Sequence, residues 1–545
     1  MLTQHFPDSL PCECGCGRLD SAICSHIDDF APHFEVTQQE NRCNPPSIRR
    51  FQPPRKLTVT RFPLPIGNGI IGVMVVLSRF FLVQMAFAAF SFAQVFDWPQ
   101  FGFDAASSGF SRAPAGIDRR SVGTLTRHQV QLDGTVDASA IYLRAVTVAG
   151  STRDVFFVTT TYGKTIAIDA DSYKVLWEYV PQGYTSWAAT AQITTSTPAA
   201  DPGRQYLYAA SHDGSVQKLA IADGHLVWKT AITLLPSREK IASPLKIFNG
   251  TIVATTGGFI GDAPPYQGHV AILDTESGAL LHVWNSLCSD RPGLIDPTSC
   301  DGSGSAIWGR SGAVVDSSTG NIFVATGNGP YDGKRNWGDS VIELSPDVTQ
   351  ILANYTPADN ASLDEHDTDL GSTSPVLLGG GWIAQGGKDA LIRLLSLAGI
   401  SGNAPHTGNE SQIVSTPGAD LLFTAPAVWN HGGQTWIFAA DGSGSAAWTL
   451  ANSVLTTVWA KNTPGTSPVL AGGLLYIYNP QGGLYVYDPA SGGEVAKLEA
   501  GSGHWNSPIV VDGRIALPEG NANQHATSGV FDIWTVSGLH QRTRG

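Results

Sequence analysis

From Trp98 onward one unit recurs along the chain: a Ser-Pro or Thr-Pro start, a turn, a β-rich run, a glycine turn, a second run, then Asp-x-x-(Ser/Asp)-Gly and a last strand that often ends in Trp. STPAADPGRQYLYAASHDGSVQKLAIADGHLVWK, ASPLKIFNGTIVATTGG with GHVAILDTESGALLHVW, and TSPVLAGGLLYIYNPQGGLYVYDPASGGEVAKL are instances. The closing positions are Trp177, Trp228, Trp284, Tyr355 and Trp459, a period of roughly 40 to 70 residues, which suits a four-stranded propeller blade. Alternation in QYLYAAS, LLYIYN and GLYVYD puts every second residue on a buried face, as stacked sheets require. The pairs Asp213-Gly214, Asn249-Gly250, Gly472-Gly473 and Asp512-Gly513 supply the positive φ angles of tight hairpins.

These patterns predict an all-β chain. Outer strands fall near Arg127 to Leu132, at Trp177, Trp228, Trp284 and Tyr355, near Gln412, and at Trp459 and Leu498. That is an eight-bladed propeller of four-stranded antiparallel blades, or a seven-bladed one if the weak unit at Gln412 is discounted. The last unit, SPIVVDGRIALPEG to SGVFDIWTV, lacks an outer strand of its own, so the early strand around His128 is expected to pair with it and close the ring, leaving no open edge.

Sixty glycines beside 14 Trp and 14 Tyr fit many turns between aromatic-rich strands. The net charge of −13, with no basic stripe in the body, argues against a nucleic-acid partner, because phosphate binding relies on Lys and Arg. Residues 1–73 are polar and rich in Pro and Cys without periodicity, and are read as a disordered or over-extended leader. Residues 74–93 read as a signal peptide if translation starts at Met74, or as a membrane anchor if it starts at Met1; either exports the propeller of 94–545 to the periplasm or beyond. From Gln94 onward only Cys288 and Cys300 remain, which reads as one disulfide in an oxidising compartment.

One stretch, Gly302 to Leu395, concentrates chemistry: an indole at Trp308, an amide oxygen at Asn328, carboxylates at Asp364, Glu365, Asp367 and Asp369, and a cation at Lys388. Each residue type has a plain structural reading as well. Trp308 is either a stacking platform for a flat ring or an interblade Trp. Asn328 in Gly327-Asn328-Gly329 is either a hard oxygen donor or a turn residue. Asp364 and Glu365 read as a solvated acidic loop, and His366 as a proton relay or a surface histidine. Asp367 and Asp369 divide between a catalytic role and the same loop, and Lys388 between an oxyanion partner and a hairpin lysine.

The endings AIDADSYKVLWEY, LAIADGHLVWK and AILDTESGALLHVW resemble the tryptophan-docking repeat of the pyrroloquinoline quinone (PQQ) propellers, over about Trp98 to Val536. This repeat also builds non-catalytic scaffolds such as the barrel-assembly lipoprotein of the bacterial outer membrane. SAIWGRSGAVVDSSTGNIFVATGNGPYD is similar to the quinoprotein alcohol dehydrogenase segment, polyvinyl-alcohol dehydrogenases included, in which a Trp floors the quinone and an Asn in a T-G-N turn binds calcium. The resemblance thus implies Trp308 as the floor and Asn328 as a calcium ligand. HDTDLGSTSPVLL resembles the segment of the catalytic Asp, implying Asp367 or Asp369 as base with Asp369 beside the metal, and GGKDALIRLLS implies Lys388 as the cation reaching the quinone.

Where those enzymes carry a calcium-binding Glu, TTGGFIGDAPPYQGHV has none, and Asp262 is the acidic residue in its place. An adjacent-cysteine ring is also missing, and no C-x-x-C-H motif is present for covalent haem, so electrons would pass to a separate acceptor. The resemblance therefore implies an exported PQQ- and Ca²⁺-dependent dehydrogenase oxidising a small or polymeric alcohol. The other reading is a non-catalytic propeller that binds a partner protein or glycan in the cell envelope.

Overall fold

The computed structural model describes residues 97–259 and 263–537, within the unit Phe90–Gly545. The leader 1–73, the apolar segment 74–93 and Asp262 lie outside the described residues. Eight antiparallel sheets follow one another around a ring. Their inner and outer strands are Ile141–Val148 and Val175–Tyr179 in blade 1, Ala199–Ala200 and Leu226–Ala231 in blade 2, and Lys246–Phe248 and Leu280–Asn285 in blade 3. Blades 4 to 6 run from Val314–Val315 to Ile351–Tyr355, from Val376–Gly379 to Gln412–Ser415, and from Ala427–His431 to Val454–Lys461. Blade 7 runs from Val469–Ala471 to Glu494–Leu498, and blade 8 begins at Ile509–Val511. The Gln412 unit is a complete blade, which decides for eight over seven. In blade 3 the inner edge is broken at Ser243-Pro244: Glu239–Ile241 and Lys246–Phe248 pair separately with Thr251–Gly258, as a residue without an N–H dictates.

At three of the eight junctions the repeat makes the same contact between neighbours, while the Trp284 indole N–H has no hydrogen-bond partner among the described residues. The Trp177 indole donates to the Ile221 carbonyl (2.9 Å) and lies so close to Gly224 that a Cβ there would come within 2.5 Å of its ring. Trp228 repeats this on Glu276 O and Gly278, and Trp459 on Pro489 O and Gly492. The Gly of Asp-x-x-(Ser/Asp)-Gly is therefore needed twice, for its positive φ (73° at Gly278) and for the bare face it offers the preceding blade's Trp. A bulge between the third and outer strands recurs, for example at Ala167/Ile168, Lys218/Leu219 and Val486/Tyr487, and leads the chain into that turn. Of the hairpin pairs, Asn249-Gly250, Gly472-Gly473 and Asp512-Gly513 have both residues at positive φ; at Asp213-Gly214 only the glycine does.

Before blade 1 the chain runs around the inner edges of the ring. Trp98 bridges Tyr142 in blade 1, the Pro99 carbonyl accepts from Ala200 in blade 2, and the Phe101 carbonyl accepts from Lys246 Nζ in blade 3. Ala105 then takes Val315 N–H, Ser108 takes Val428 N–H, and Phe110 bridges Leu470, so one arm touches blades 4, 6 and 7 as well. Lys246 is fully buried against it, and burial pulls this lysine down to about 7.

The outer strand of blade 8 is Thr126–Leu132, paired antiparallel with Gly529–Thr535 in the register His128↔Ile533. The ring is closed by an N-terminal strand, as the missing last strand implied. Arg127 on that strand reaches Asp532 (2.5 Å) and Glu519 (2.9 Å), both carboxylates shielded from solvent. Removing the guanidinium leaves two acids facing each other out of water. Arg127→Ala is expected to lower unfolding free energy by about 3 kcal/mol, the cost of breaking a buried ion pair from one side, with Arg127→Lys recovering part of it. Urea unfolding followed by intrinsic fluorescence measures both.

Candidate functional site

The stretch singled out from sequence spans blades 4 and 5. Trp308 lies in the loop before the inner strand of blade 4, and Asn328 in the turn after Ile322–Ala325. Asp367 and Asp369 follow the short helix Asn360–Glu365, and Lys388 sits in the hairpin between Trp382–Gly386 and Leu391–Ser396. The fold brings these five together. Asp369 accepts the Asn328 backbone N–H through Oδ1 (2.8 Å) and pairs with Lys388 through Oδ2. Asp367 Oδ1 accepts from both Lys388 Nζ (2.8 Å) and Asn328 Nδ2 (3.0 Å). Lys388 Nζ is 5.6 Å from the Trp308 ring centroid. Gly327 is required here, because a Cβ would meet both Asp369 Oδ1 and the Trp308 indole nitrogen.

The two aspartates differ in setting. Asp369 has a side chain 10% exposed, whereas Asp367 is 79% exposed. Burial pulls Lys388 down, but Asp369 and Asp367 outweigh it and hold the lysine above its ordinary value. Asp364, Glu365 and His366 are exposed, and His366 Nδ1–H donates to the Ser362 carbonyl of its own helix (2.8 Å), so these three face solvent.

Trp308 and Lys388 line a cavity of about 260 Å³ whose other walls include Lys240, Phe259, Phe423, Trp505 and Asn523. Trp308, Phe423 and Trp505 have mutual centroid distances of 6.0 Å with interplanar angles of 28°, 40° and 26°. Three centroids at equal spacing form a triangle and not a column, so the rings make one aromatic cluster, contributed by the segments entering blades 4, 6 and 8. Sequence reasoning found one ring of the three. The available signal was position: Phe423 and Trp505 also lie just before an inner strand, away from the outer-strand places where docking tryptophans recur.

A second missed residue is Asp339. Its Oδ1 accepts the Leu370 N–H (2.9 Å), its Oδ2 is buried without a hydrogen-bond partner, and its own N–H donates to Gly327 O (2.9 Å). Burial, then the nearby charges of Asp369 and Asp364, push it up from 3.8 to about 8.

The aromatic cluster with a cation at its edge suits a flat, electron-poor ring system. For a hard cation the donors are the Asn328 Oδ1, buried and without a hydrogen-bond partner, and the Asp369 carboxylate. Among the described residues no group of three or more His, Cys, Asp or Glu is placed to hold a metal, so the rest of a calcium shell would come from the cofactor and water. Cys288 and Cys300 are joined as a disulfide, with Cα atoms 6.1 Å apart, and neither lines the cavity.

A family model described as outer membrane protein assembly factor BamB matches residues 118–293. Over 212 residues the chain is 24% identical to polyvinylalcohol dehydrogenase of Sphingopyxis sp. (strain 113P3), covering 36% of this chain and 31% of that protein. Over 230 residues it is 23% identical to quinohemoprotein alcohol dehydrogenase ADH IIB of Pseudomonas putida, covering 38% and 33%. The chain resembles the PQQ propellers. It matches about a third of the length of each of these two relatives. Among solved structures, quinohemoprotein alcohol dehydrogenase from Comamonas testosteroni aligns with a TM-score of 0.61 at 16% identity, over 83% of this chain and 82% of that one. A europium-containing methanol dehydrogenase aligns at 0.59 and 16%, over 81% and 98%. At these identities the structural likeness to quinoprotein propellers is one of fold.

Asp339 yields a pH prediction. A carboxyl raised in the folded state contributes stability that is fully present below its unfolded value near 3.8 and is lost as pH rises through about 8. The melting temperature of Asp339→Asn minus that of the wild type is therefore expected to increase steadily from pH 4 to pH 9. A flat difference in calorimetry across that range would contradict the assignment.

Proposed function

We propose that this chain is an exported PQQ- and calcium-dependent dehydrogenase that oxidises an alcohol, small or polymeric, and passes electrons to a separate acceptor. The observation that carries the reading is the convergence of Trp308, Asn328, Asp369 and Lys388 beside one aromatic cavity, from segments of two blades. Trp308 would carry the quinone, and Asn328 Oδ1 with Asp369 would hold the calcium. Bound there, the two would supply a hydride acceptor and the charge that polarises it.

The chain's own part is orientation and proton handling. Asp369 takes the hydroxyl proton of the alcohol, its carboxylate fixed by the Asn328 N–H on one oxygen and Lys388 on the other. Lys388 stabilises negative charge developing at the cavity edge. Asp367 stands on the solvent side and anchors both Lys388 and the Asn328 amide, which leaves Asn328 Oδ1 free of internal donors. Between the two aspartates the burial difference favours Asp369 as base, with Asp367 as its outer support.

Purified protein mixed with PQQ and Ca²⁺ is expected to bind quinone saturably and to support dye-linked alcohol oxidation. Trp308→Ala should abolish quinone binding. Asp369→Asn should retain it while losing kcat by about 10²- to 10⁴-fold, the usual share of a general base; Asp367→Asn should lose about tenfold or less. A folded protein with no saturable quinone binding leaves the scaffold reading in possession. Export carries a separate consequence: thiol titration of the denatured, unreduced secreted chain, cleaved ahead of Gln94, should find no free sulfhydryl, and two would refute the oxidised pair.

A further inference from the structure

The groups behind the aromatic surface have no part in the mechanism above. Asp137, fully buried ahead of blade 1, accepts three hydrogen bonds: from His504 Nδ1 (2.7 Å) and the Ala522 N–H (3.0 Å) on Oδ2, and from the Trp505 N–H (2.9 Å) on Oδ1. The His504 ring lies flat on the Trp505 indole, with centroids 4.3 Å apart and planes at 19°. The same turn is pinned a second time, since Asn506 takes the His504 N–H (2.9 Å) and donates to the Val136 carbonyl (2.6 Å). One carboxylate thus anchors Trp505 directly and Asn523 through its neighbour Ala522, which are the two blade 8 residues that line the cavity.

On the other side, Arg310 follows Trp308 by two residues and is itself buried. Its guanidinium crosses the ring axis to donate to Thr195 O (3.1 Å) and Asp137 O (3.3 Å), and lies 5.6 Å from the Phe101 ring of the arm. Burial pulls Arg310 down to about 10 against the opposing pull of Asp137. For Asp137, burial acts upward, but His504, Arg310 and the Ala522 N–H together hold it below its ordinary value, so it stands as a carboxylate. The segment carrying Trp308 and the segment carrying Trp505, which enter opposite blades, meet at Asp137: Arg310 donates to its backbone carbonyl, and its carboxylate accepts from His504 and the Trp505 N–H.

We propose that Asp137 is a positioning residue: through His504 and the Trp505 N–H on one side and Arg310 on the other, it holds the Trp505 ring in register with Trp308 and so sets the cavity's affinity for a flat ring ligand. The ligand half of this rests on the quinone reading above; the ring register does not. Two indoles 6.0 Å apart couple strongly, and their exciton couplet in circular dichroism reports their mutual geometry in the free protein.

The experiment measures that couplet, quinone binding by fluorescence quenching, and thermal stability, in the wild type and in variants. Trp505→Phe, which removes one chromophore, identifies the couplet. Asp137→Asn, which keeps the backbone carbonyl used by Arg310 but replaces the carboxylate that accepts from His504 and the Trp505 N–H with a neutral amide, is expected to diminish the couplet and weaken quinone binding about tenfold, the equivalent of one charged hydrogen bond. Should that variant fail to fold, the His504 pair decides. His504→Asn keeps a donor near Nδ1 and loses the stacked ring, whereas His504→Phe keeps the ring and loses the donor. The Phe variant should reproduce the loss and the Asn variant should retain most of the couplet. An unchanged couplet in Asp137→Asn and His504→Phe, or equal loss in both His504 variants, overturns the positioning role. A wild type with the couplet but no quinone binding overturns the proposed function instead, and with it the affinity half of the inference.

Discussion

The ring depends on an indole seated on a bare glycine. When Trp177 docks over Gly224, Trp228 over Gly278 and Trp459 over Gly492, the outer edge of one blade is locked to the turn of the next at a fixed distance and angle. Because each indole nitrogen also donates to a carbonyl of that turn, the contact has direction as well as area. A repeated fixed angle between sheets is a ring, and closure lets the early strand Thr126–Leu132 serve as the last blade's outer edge. Side chains far apart in sequence then face one axis with little freedom to drift.

What the axis holds follows from that rigidity. Buried charges are costly unless compensated, and here they come in sets: Asp137 hydrogen-bonded to His504 with the charge of Arg310 nearby, Lys388 with Asp369 and Asp367, Arg127 with Asp532 and Glu519. Arg310 and Asp137 come from segments entering different blades, whereas the Lys388 set lies at blade 5 and the Arg127 set within blade 8. Only the Lys388 set borders the 260 Å³ cavity, while Arg310 and Asp137 lie behind the aromatic surface and Arg127 lies at the closure. The same device therefore serves the fold at two places and the candidate chemistry at the third.

The blades were legible because their signals are local. Alternation, the hairpin glycines and the terminal Trp lie within a single unit, and all eight outer strands, including the degenerate one at Gln412, fall where the pattern placed them. The pairing of the strand around His128 with the last unit was also readable, though the two are hundreds of residues apart, since a last unit one strand short leaves a single partner; the register His128↔Ile533 was not. Trp308, Asn328, Asp369 and Lys388 were reached through resemblance, not periodicity. Phe423, Trp505 and Asp339 were not reached at all. Each is a single residue whose meaning comes from neighbours in other blades; for Phe423 and Trp505 the one local signal is their place just before an inner strand, which does not say that two aromatic rings will meet a third. The arm was illegible for the same reason, as its hydrogen bonds are backbone contacts that any sequence of the right length could make.

The arm also bears on why a cavity exists on this axis. A propeller axis is lined by inner strands whose edge groups need partners, and an unfilled channel would leave them to water. The arm satisfies those groups at blades 1 to 4, 6 and 7, and Phe101 fills the space against Arg310. Arg310 in turn supports the segment that carries Trp308. Trp308, Phe423 and Trp505 are among the walls of the cavity that remains. An open bore would let water reach Asp369 and Lys388 from both directions and weaken their pairing. With Lys388 and Asp369 only 14% and 10% exposed, that pairing is kept strong, because the effective dielectric around it falls as water is excluded.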